Sequence, residues 1–336
     1  MKVHTLDIDS SMRDTNVYPY ANTYVVTLDK PIYDVAQIKL ISARIPTPQL
    51  TICSTNKTFS IYDSGAPNDT IEVTLNEKNY TSGTTLASEL QSQLFIESGD
   101  PTPTCIDSVA FDSVINTLTF SNTNTSNTFS FEFFDGTNGY LSNVNTTTPH
   151  QVLGFSSKNT VEDDTVVSGA INLNGPNSLI IRLSSGSDEF NKIVFSSTPF
   201  YTGTVLLNGS DVINYHGADD PLTHEFHTGS QKFIKDLKVE FFYMSHGRLI
   251  PYDFRNQDHI LKFEVTCSTD KFEALPKVPL DMVDDKKEEK KSEISIPEII
   301  ENPYKWKEYL SIGVIVIVGI ILMFLMNGRR RPVLSE

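Results

Sequence analysis

A group of histidine and acidic residues in the second half of the sequence could bind a metal. His216, His224 and His227 lie close together along the chain, and three carboxylates lie between them: Asp219, Asp220 and Glu225. Imidazole and carboxylate groups this close are able to hold a divalent cation. The competing interpretation is a polar surface hairpin, because His224 and His227, three apart on a strand, would point to opposite faces. We favour the hairpin and predict no metal site.

The cysteines offer a second kind of chemistry. Cys53, Cys105 and Cys267 are odd in number and widely separated, which is neither a disulfide framework nor a paired zinc motif. Nucleophilic catalysis would require a histidine beside one of them, and no spacing indicates that geometry. We predict three reduced, mostly buried thiols.

Motifs for phosphate binding, serine hydrolysis and metalloprotease chemistry are missing from the sequence. It contains no GxxxxGK loop, GxSxG elbow, HExxH helix or glycine-rich dinucleotide turn. The net charge is −15, and residues 1–280 carry 18 basic against 32 acidic side chains. Because phosphate binding requires clustered cations, a nucleic-acid ligand is disfavoured. We predict no enzyme, with no catalytic residue, cofactor, small-molecule substrate or nucleic-acid partner.

Two aromatic runs, Phe129–Phe134 and Phe241–Tyr243, could form a flat platform for a ligand. Alternating aromatics in a β sandwich more often face the hydrophobic core. We therefore expect both runs to be part of the protein interior.

The elements that would position these residues are mostly strands. Apolar and polar residues alternate in short runs, as at Tyr24, Val26 and Leu28, and turn-forming residues separate the runs. Further predicted strands are Gln37–Ile45, Phe59–Tyr62, Asn116–Phe120, Ser178–Leu183, Lys192–Ser196, Thr204–Leu207, Phe233–Met244 and Ile260–Thr266. Leucines at helical spacing predict one helix from Thr84 to Phe95. The predicted fold class is all-β: an antiparallel jelly-roll-like sandwich, one large or two tandem, with one short helix.

The composition predicts four consecutive parts of the chain. They are a β-rich region at 1–275 (possibly divided into 1–157 and 158–275), a linker at 276–308, a transmembrane helix at 309–326 and a basic tail at 327–336. The linker has mixed charge and several prolines, so we predict a solvated spacer of ~30 Å when coiled and up to ~100 Å when extended.

The transmembrane helix is predicted from an uncharged run that extends from Tyr309 to Met326. As a helix it would be about 27 Å long, close to the thickness of the hydrocarbon core of a bilayer. The anchoring side chains would be Tyr309, Leu310, Ile312, Val314, Ile317, Ile320, Phe324 and Met326. The interfacial residues would be Tyr304, Trp306, Arg329, Arg330 and Arg331.

The orientation of this helix in the membrane stays open. A span so close to the C-terminus favours insertion after synthesis, with the large N-terminal part left in the cytosol. The positive-inside rule instead places the arginines in the cytosol. We favour the first orientation.

Several motifs follow one another in a fixed order along the chain. An Asp-Ser-x-x-Arg-Asp segment, a Tyr-Pro pair and a strand between prolines come first: Asp9, Ser10, Arg13, Asp14, Tyr18, Pro19, Pro31, Ile32, Ile38, Leu40, Ala43, Ile45 and Pro46. Later come Asn79-Tyr80, the triplet Leu153-Gly154-Phe155, and a segment with Gly247, Phe254 and His259. In this order, over most of residues 5–266, the sequence resembles the minor capsid proteins of nucleocytoplasmic large DNA viruses, the giant phycodnavirus- and mimivirus-like viruses.

The resemblance implies a structural role in the virion. In such viruses a jelly-roll capsid shell surrounds an internal membrane, and minor capsid proteins fill the space between them. It implies the major capsid protein and other minor capsid proteins as partners. The prolines and glycines of the motifs would determine the fold, and none of the motif residues would be catalytic.

These observations favour a structural minor capsid protein with a single membrane span. It would lie in the internal virion membrane beneath the capsid, and in a host membrane during assembly, and would link the lipid bilayer to the shell through protein–protein contacts. The alternatives are an exposed receptor- or glycan-binding viral surface protein and, third, a metal-dependent membrane enzyme. The sequence leaves open the capsid protein contacted, the copy number and the oligomeric state.

Overall fold

Antiparallel strands dominate the computed structural model, which describes residues 2–65, 70–97, 105–123, 126–135, 145–186, 188–190, 202–218, 221–226 and 233–268. In the N-terminal half of this range the strands are β1 (Lys2–Asp9), β2 (Thr23–Ile32), β3 (Val35–Pro46), β4 (Thr58–Asp63), β5 (Thr70–Thr74), β6 (Ser108–Asp112), β7 (Thr117–Ser121) and β8 (Phe129–Glu132). The later strands are β9 (Thr165–Ala170), β10 (Ser178–Ser185), β11 (Asp188–Glu189), β12 (Gly203–Leu206), β13 (Val212–His216), β14 (Leu222–Glu225), β15 (Ile234–Ser245), β16 (Arg248–Pro251) and β17 (Ile260–Cys267). The helical elements of these residues are α1 (Gly83–Glu97), α2 (His150–Leu153) and a 3₁₀ turn, Ser10–Met12.

The strands of the described residues form four sheets. In the first sheet the order is β1-β17-β3-β13, and β14 also pairs with β3; in the second it is β11-β10-β15-β16, with β12 on β10 and β2 on β15. The third and fourth sheets have three strands each, β5-β4-β8 and β6-β7-β9. All of these pairings are antiparallel.

The first hydrophobic core, which we call the terminal core, is formed by residues from both ends of the described chain. Apolar side chains from β1–β3 meet side chains from β10 onward, and the fully buried members include Leu40, Ile45, Leu179, Phe241 and Phe263. The pairing of β3 with β17 brings together segments from the beginning and the end of this chain. The β3–β17 ladder therefore joins strands that are more than 200 residues apart in the sequence.

The second core, the inserted core, is formed by residues between 52 and 171. Phe59, Phe120 and Phe131 of the third and fourth sheets pack with the apolar face of α1. The chain enters this core after Ile45 and returns to the terminal core before Leu179. The inserted core is thus nested within the terminal one.

The edge strand β6 of the inserted core is covered by a side chain from α1. Gln91 accepts a hydrogen bond from the backbone N–H of Val109 at 2.7 Å and donates one to the carbonyl of Asp107 at 3.2 Å. An exposed strand edge would otherwise offer unpaired backbone groups to another chain. The helix that the leucines predict therefore also protects an edge.

The antiparallel all-β prediction is confirmed, as are the helix (α1) and the predicted strands that fall within the described residues. The jelly-roll-like connectivity stays a prediction, and the strand Lys192–Ser196 lies outside the described residues. Met1–Leu275 is one compact unit. A boundary at residue 157 does not separate its two cores, because Val166 and Ile171 belong to the same core as Phe59.

One face of β8 departs from the expected alternation of buried apolar and exposed polar residues. Phe129 and Phe131 are in the core as predicted, but Ser130 and Glu132 on the opposite face are buried as well. Burial raises the pKa of Glu132. The polar face of this strand is therefore buried too. The alternation in the sequence predicted which face carries the aromatic rings, but not that the opposite face is buried.

Within the described residues, none of the helices has the length and apolar character needed to cross a membrane. The linker 276–308, the predicted span 309–326 and the tail 327–336 lie outside these residues. The predicted anchor residues and interfacial residues therefore stay predictions.

Candidate functional site

The Asp-Ser-x-x-Arg-Asp motif packs against the segment that leads into β17. We call this group of contacts the clasp and define it by Ser10, Arg13, Tyr24, Asp258 and His259. The hydroxyl of Ser10 donates to the Asp258 carboxylate at 2.9 Å and accepts from the His259 N–H at 2.9 Å. The Ser10 N–H donates to the carbonyl of His259 at 3.0 Å. One serine therefore joins the start and the end of the described chain.

Arg13 is the ionic part of the clasp. Its guanidinium donates to Asp258, to the carbonyl of Ser10 at 2.7 Å and to the carbonyl of Tyr18 at 3.1 Å. The Arg13 side chain is 7% exposed, whereas that of Asp258 is 40% exposed. The planar guanidinium holds a carboxylate and two carbonyls at once, an arrangement that an ammonium group cannot reproduce.

His259 is the buried part of the clasp. Its Nε2 lies 2.8 Å from the Tyr24 hydroxyl, and its ring packs against Phe241 and Phe254 at centroid distances of 4.5 and 4.9 Å. Burial lowers the pKa of His259 to about 3 and raises the pKa of Tyr24. Both groups are therefore neutral near pH 7 and act as a hydrogen-bonded pair.

The burial of His259 predicts that acid weakens the fold. The folded state holds His259 neutral down to about pH 3, whereas the unfolded chain binds a proton near pH 6.5. Stability is therefore complete above about pH 6.5 and falls with decreasing pH, by about 2 kcal/mol between pH 7.5 and pH 5 for this residue. In His259→Gln this contribution should be missing when the free energy of unfolding is measured at both pH values. His216→Gln, on an exposed strand position, is the control; equal slopes in all three proteins would contradict the assignment.

A second polar group lies where the two cores meet, and we call it the joint. It joins the β15–β16 hairpin (Tyr243–Arg248) to the inserted core. The Ser245 hydroxyl lies 2.8 Å from that of Thr147, and the guanidinium of Arg248 lies 4.2 Å from the ring centre of Phe134.

A pair of histidines is at the centre of the joint. His150 Nε2 of α2 lies 2.7 Å from His246 Nδ1 of the hairpin turn. His246 and Gly247 have φ of 40° and 87°, as a two-residue hairpin turn of type I′ requires. Burial and the neighbouring His246 lower the pKa of His150 to about 4.

The other motifs are also used to build the structure. Gly154 ends α2 with φ of 81°, and a Cβ there would come within 2.4 Å of the carbonyl of Gly169. Leu153 is fully buried, and Asn79 accepts a hydrogen bond from the N–H of Thr51 at 2.8 Å. These contacts explain the residue types of the motifs without any catalytic role.

The proline and cysteine expectations have the following outcomes. Pro31 lies in the edge strand β2, and Pro46 is the last residue of β3, both positions that tolerate a missing N–H. The three cysteines are free and buried, as predicted. The runs Phe129–Phe134 and Phe241–Tyr243 are buried, and most of their aromatic rings belong to the two cores, so the exposed ligand-platform alternative is wrong.

The histidine cluster is not brought together by the described residues. His216 pairs with Ser42 and His224 with Ile38, so their Cα atoms are roughly 13 Å apart along β3. His224 packs between the rings of Phe190 and Phe226. Among the residues that the structure describes, no group of three or more possible ligands could hold a metal ion; His227, Asp219 and Asp220 lie outside them.

An exposed apolar loop follows the clasp. Met12, Val17 and Tyr20 are 86%, 61% and 65% exposed, although the loop that carries them is fixed by Arg13. Large apolar side chains on a fixed, exposed loop are typical of protein contact surfaces.

The fold and these sites define an all-β protein with two nested antiparallel cores, in which motif residues of the clasp join the start and the end of the described chain. The chain belongs to a family of unknown function, DUF5901, whose family model matches residues 3–243. No curated protein matches the chain.

Two solved structures show low likeness to the chain. The mavirus penton protein is 12% identical, with 79% of this chain and 99% of that chain covered and a TM-score of 0.32. A chain from the cryo-EM structure of the Sputnik virophage is 11% identical, with 79% and 98% covered and a TM-score of 0.30.

Proposed function

We propose that this protein is a structural minor capsid protein that links the internal membrane of a virion to the capsid shell. The proposal joins the family resemblance of the motifs with the hydropathy of the tail. The observation that carries it is the position of two features at opposite ends of one sheet. These are the C-terminal end of β17, which we call the exit point, and the exposed apolar loop.

The exit point lies at one end of the first sheet. Cys267, near the end of β17, pairs with Lys2, and the N–H of the following Ser268 donates to the carbonyl of Asp34 at 2.8 Å. The predicted spacer and membrane span come after this point. The sheet end with Cys267 is therefore the end we assign to the membrane side.

The apolar loop lies at the other end of the same sheet. Asp9 pairs with Ile260 at the far end of the β1–β17 ladder, and the loop with Met12, Val17 and Tyr20 begins directly after Asp9. The ladder between the two ends is roughly 24 Å long at the usual rise of a strand. We assign the loop as the contact surface for a shell protein.

Linking two attachments through one chain raises the local concentration of each site for its partner. Neither the loop nor the membrane span then needs high affinity by itself. The predicted spacer would set the distance that the two attachments can bridge.

The test is flotation of the full-length protein with liposomes in a density gradient, in the presence of the shell protein of the same virus. We expect the wild type to float and to carry the shell protein with it. The triple variant Met12→Ser, Val17→Ser, Tyr20→Ser should float equally but bind the shell protein at least about tenfold more weakly, because apolar contact area is lost. The matched control replaces three apolar residues that are exposed elsewhere on the surface and should retain binding: Val114→Ser, Ile115→Ser and Val161→Ser.

The two parts of the proposal fail separately. Wild-type protein that stays at the bottom of the gradient would disprove the membrane anchor. Unchanged capture by the triple variant would disprove the loop contact. Biotin labelling of the ectodomain on intact virions would instead support the alternative of a receptor- or glycan-binding surface protein.

A further inference from the structure

We propose that the joint is an acid-sensitive latch: protonation of His150 separates the β15–β16 hairpin from the inserted core. This inference is independent of the proposed capsid role. It starts from the contact between the two imidazoles, which belong to different cores and are hydrogen-bonded to each other.

The hydrogen bonds of His150 define the neutral state. Its Nδ1 lies 3.0 Å from the carbonyl of Thr148 and 2.9 Å from the Thr148 hydroxyl. Because a carbonyl only accepts, Nδ1 carries the proton, and Nε2 is the acceptor toward His246. His246 Nδ1 is then the donor across the joint. When His150 takes up a proton, its Nε2 becomes a donor and can no longer accept this hydrogen bond.

The groups around the pair do not balance a charge on His150. From α2 the neutral amide of Gln151 approaches His246 at 3.3 Å, and Arg248 from β16 places its guanidinium on Phe134, whose ring lies 5.3 Å from that of His150. Within the described part of the chain, no carboxylate is hydrogen-bonded to either imidazole. A protonated His150 is therefore buried without a carboxylate partner in the closed joint.

Other contacts also join the hairpin to the inserted core. Two are hydroxyl pairs, Ser245 with Thr147 at 2.8 Å and Tyr243 with Thr55 at 3.2 Å. Arg248 adds its contact with Phe134 and a hydrogen bond to the carbonyl of Thr146 at 3.5 Å. An open cleft of about 450 Å³, lined by Gln151 and Met244 among others, lies beside the joint and gives water access to it. The chain segments 46–52 and 171–179 keep the cores connected after the joint opens.

The sign of the pH dependence follows from His150. In the closed joint its pKa is about 4, below the ordinary value of 6.5, so the open form binds more protons between these values. Opening is therefore favoured as pH falls from about 6.5 toward 4, by about 30-fold at pH 5 relative to pH 7.5. His259, whose pKa is lower, titrates inside the terminal core and does not face the joint.

The experiment is hydrogen–deuterium exchange of the full-length protein in detergent micelles at pH 7.5 and pH 5, corrected for intrinsic exchange rates. We expect protection of the hairpin Tyr243–Arg248 and of α2 to fall about 30-fold at pH 5. Protection of β3 in the terminal core and β4 in the inserted core should also fall, because unfolding of the cores exposes His259 and His150, but both strands should stay more protected than the joint at both pH values. Equal protection of the cores and the joint at pH 5 would show global unfolding and would overturn the proposal.

A variant separates the latch from general acid sensitivity. His246→Asn removes the imidazole that lowers the pKa of His150, and asparagine tolerates the left-handed φ of this turn. The acid-induced loss of protection at the joint should then be smaller at pH 5, because the pKa of His150 in the closed joint lies closer to its ordinary value. His216→Asn is the control and should behave as the wild type. If His246→Asn also opens at the wild-type pH, the histidine pair is not the latch.

Discussion

Replacing Arg13 with alanine is expected to lower the free energy of unfolding by about 3 kcal/mol. The substitution leaves the carbonyl of Tyr18 without its donor and removes the cation that faces Asp258. The carbonyl of Ser10 loses the guanidinium and keeps the backbone N–H of residue 13. Loss of a largely buried arginine whose side chain makes four hydrogen bonds has this order of effect, reduced here because Asp258 is partly exposed. The measurement is denaturant unfolding of the full-length protein in detergent at pH 7.5.

Two further variants test the geometry of the clasp. Arg13→Lys keeps the charge but not the planar donors, and it should recover less than half of the loss. Lys262→Ala removes the exposed ion pair with Asp7, whose atoms are 3.6 Å apart, and should change stability by less than about 0.5 kcal/mol. If Arg13→Ala is as mild as Lys262→Ala, the clasp does not hold the ends of the chain together.

Phe131→Ala is expected to cost about 4 kcal/mol, the largest effect of any single substitution considered. Phe131 lies at the centre of the aromatic packing of the inserted core: its ring is 4.6 Å from that of Phe120, 5.4 Å from Phe155 and 5.8 Å from Phe59. Truncation leaves a cavity bordered by rings that cannot move together to fill it. Phe131→Leu, which fills part of the volume, should cost less than half as much.

Hydrogen exchange can show which part of the protein the Phe131→Ala substitution destabilises. Because the inserted core is nested and has its own buried cluster, protection should fall first in β4 and β8. The β3–β17 ladder should keep more of its protection. The exposed position Val114 is the control, and Val114→Ala should leave exchange unchanged. A uniform loss over both cores would show that the two cores unfold as one unit.

The sequence predicted local structure better than long-range pairing. Alternation identified β3, β4 and β10 because a half-buried strand has a period of two, and the leucines identified α1. Alternation does not specify the partner of a strand. The nesting of one core in the other depends on β3 pairing with β17, which no local pattern near either strand encodes.

The functional groups were predicted to different extents. The motif with Ser10 and Arg13 was visible in the sequence, but its partner Asp258 was not, since 245 residues separate Arg13 from Asp258. The pairing of His150 with His246 was missed for the same reason, because these histidines are 96 residues apart. The only local signal for the joint was His246-Gly247, a dipeptide that fits a tight turn.

The β1–β17 ladder has a mechanical consequence. A pull on the chain beyond Cys267 and an opposing pull on the loop after Asp9 would act at opposite ends of two neighbouring antiparallel strands. Such a pull shears the two strands and loads all backbone hydrogen bonds between β1 and β17 at the same time. A pull on the ends of both strands at the same side of the sheet would instead break these hydrogen bonds one after another. The strand order therefore suits a molecule held under tension at both ends, with the load shared along the whole ladder.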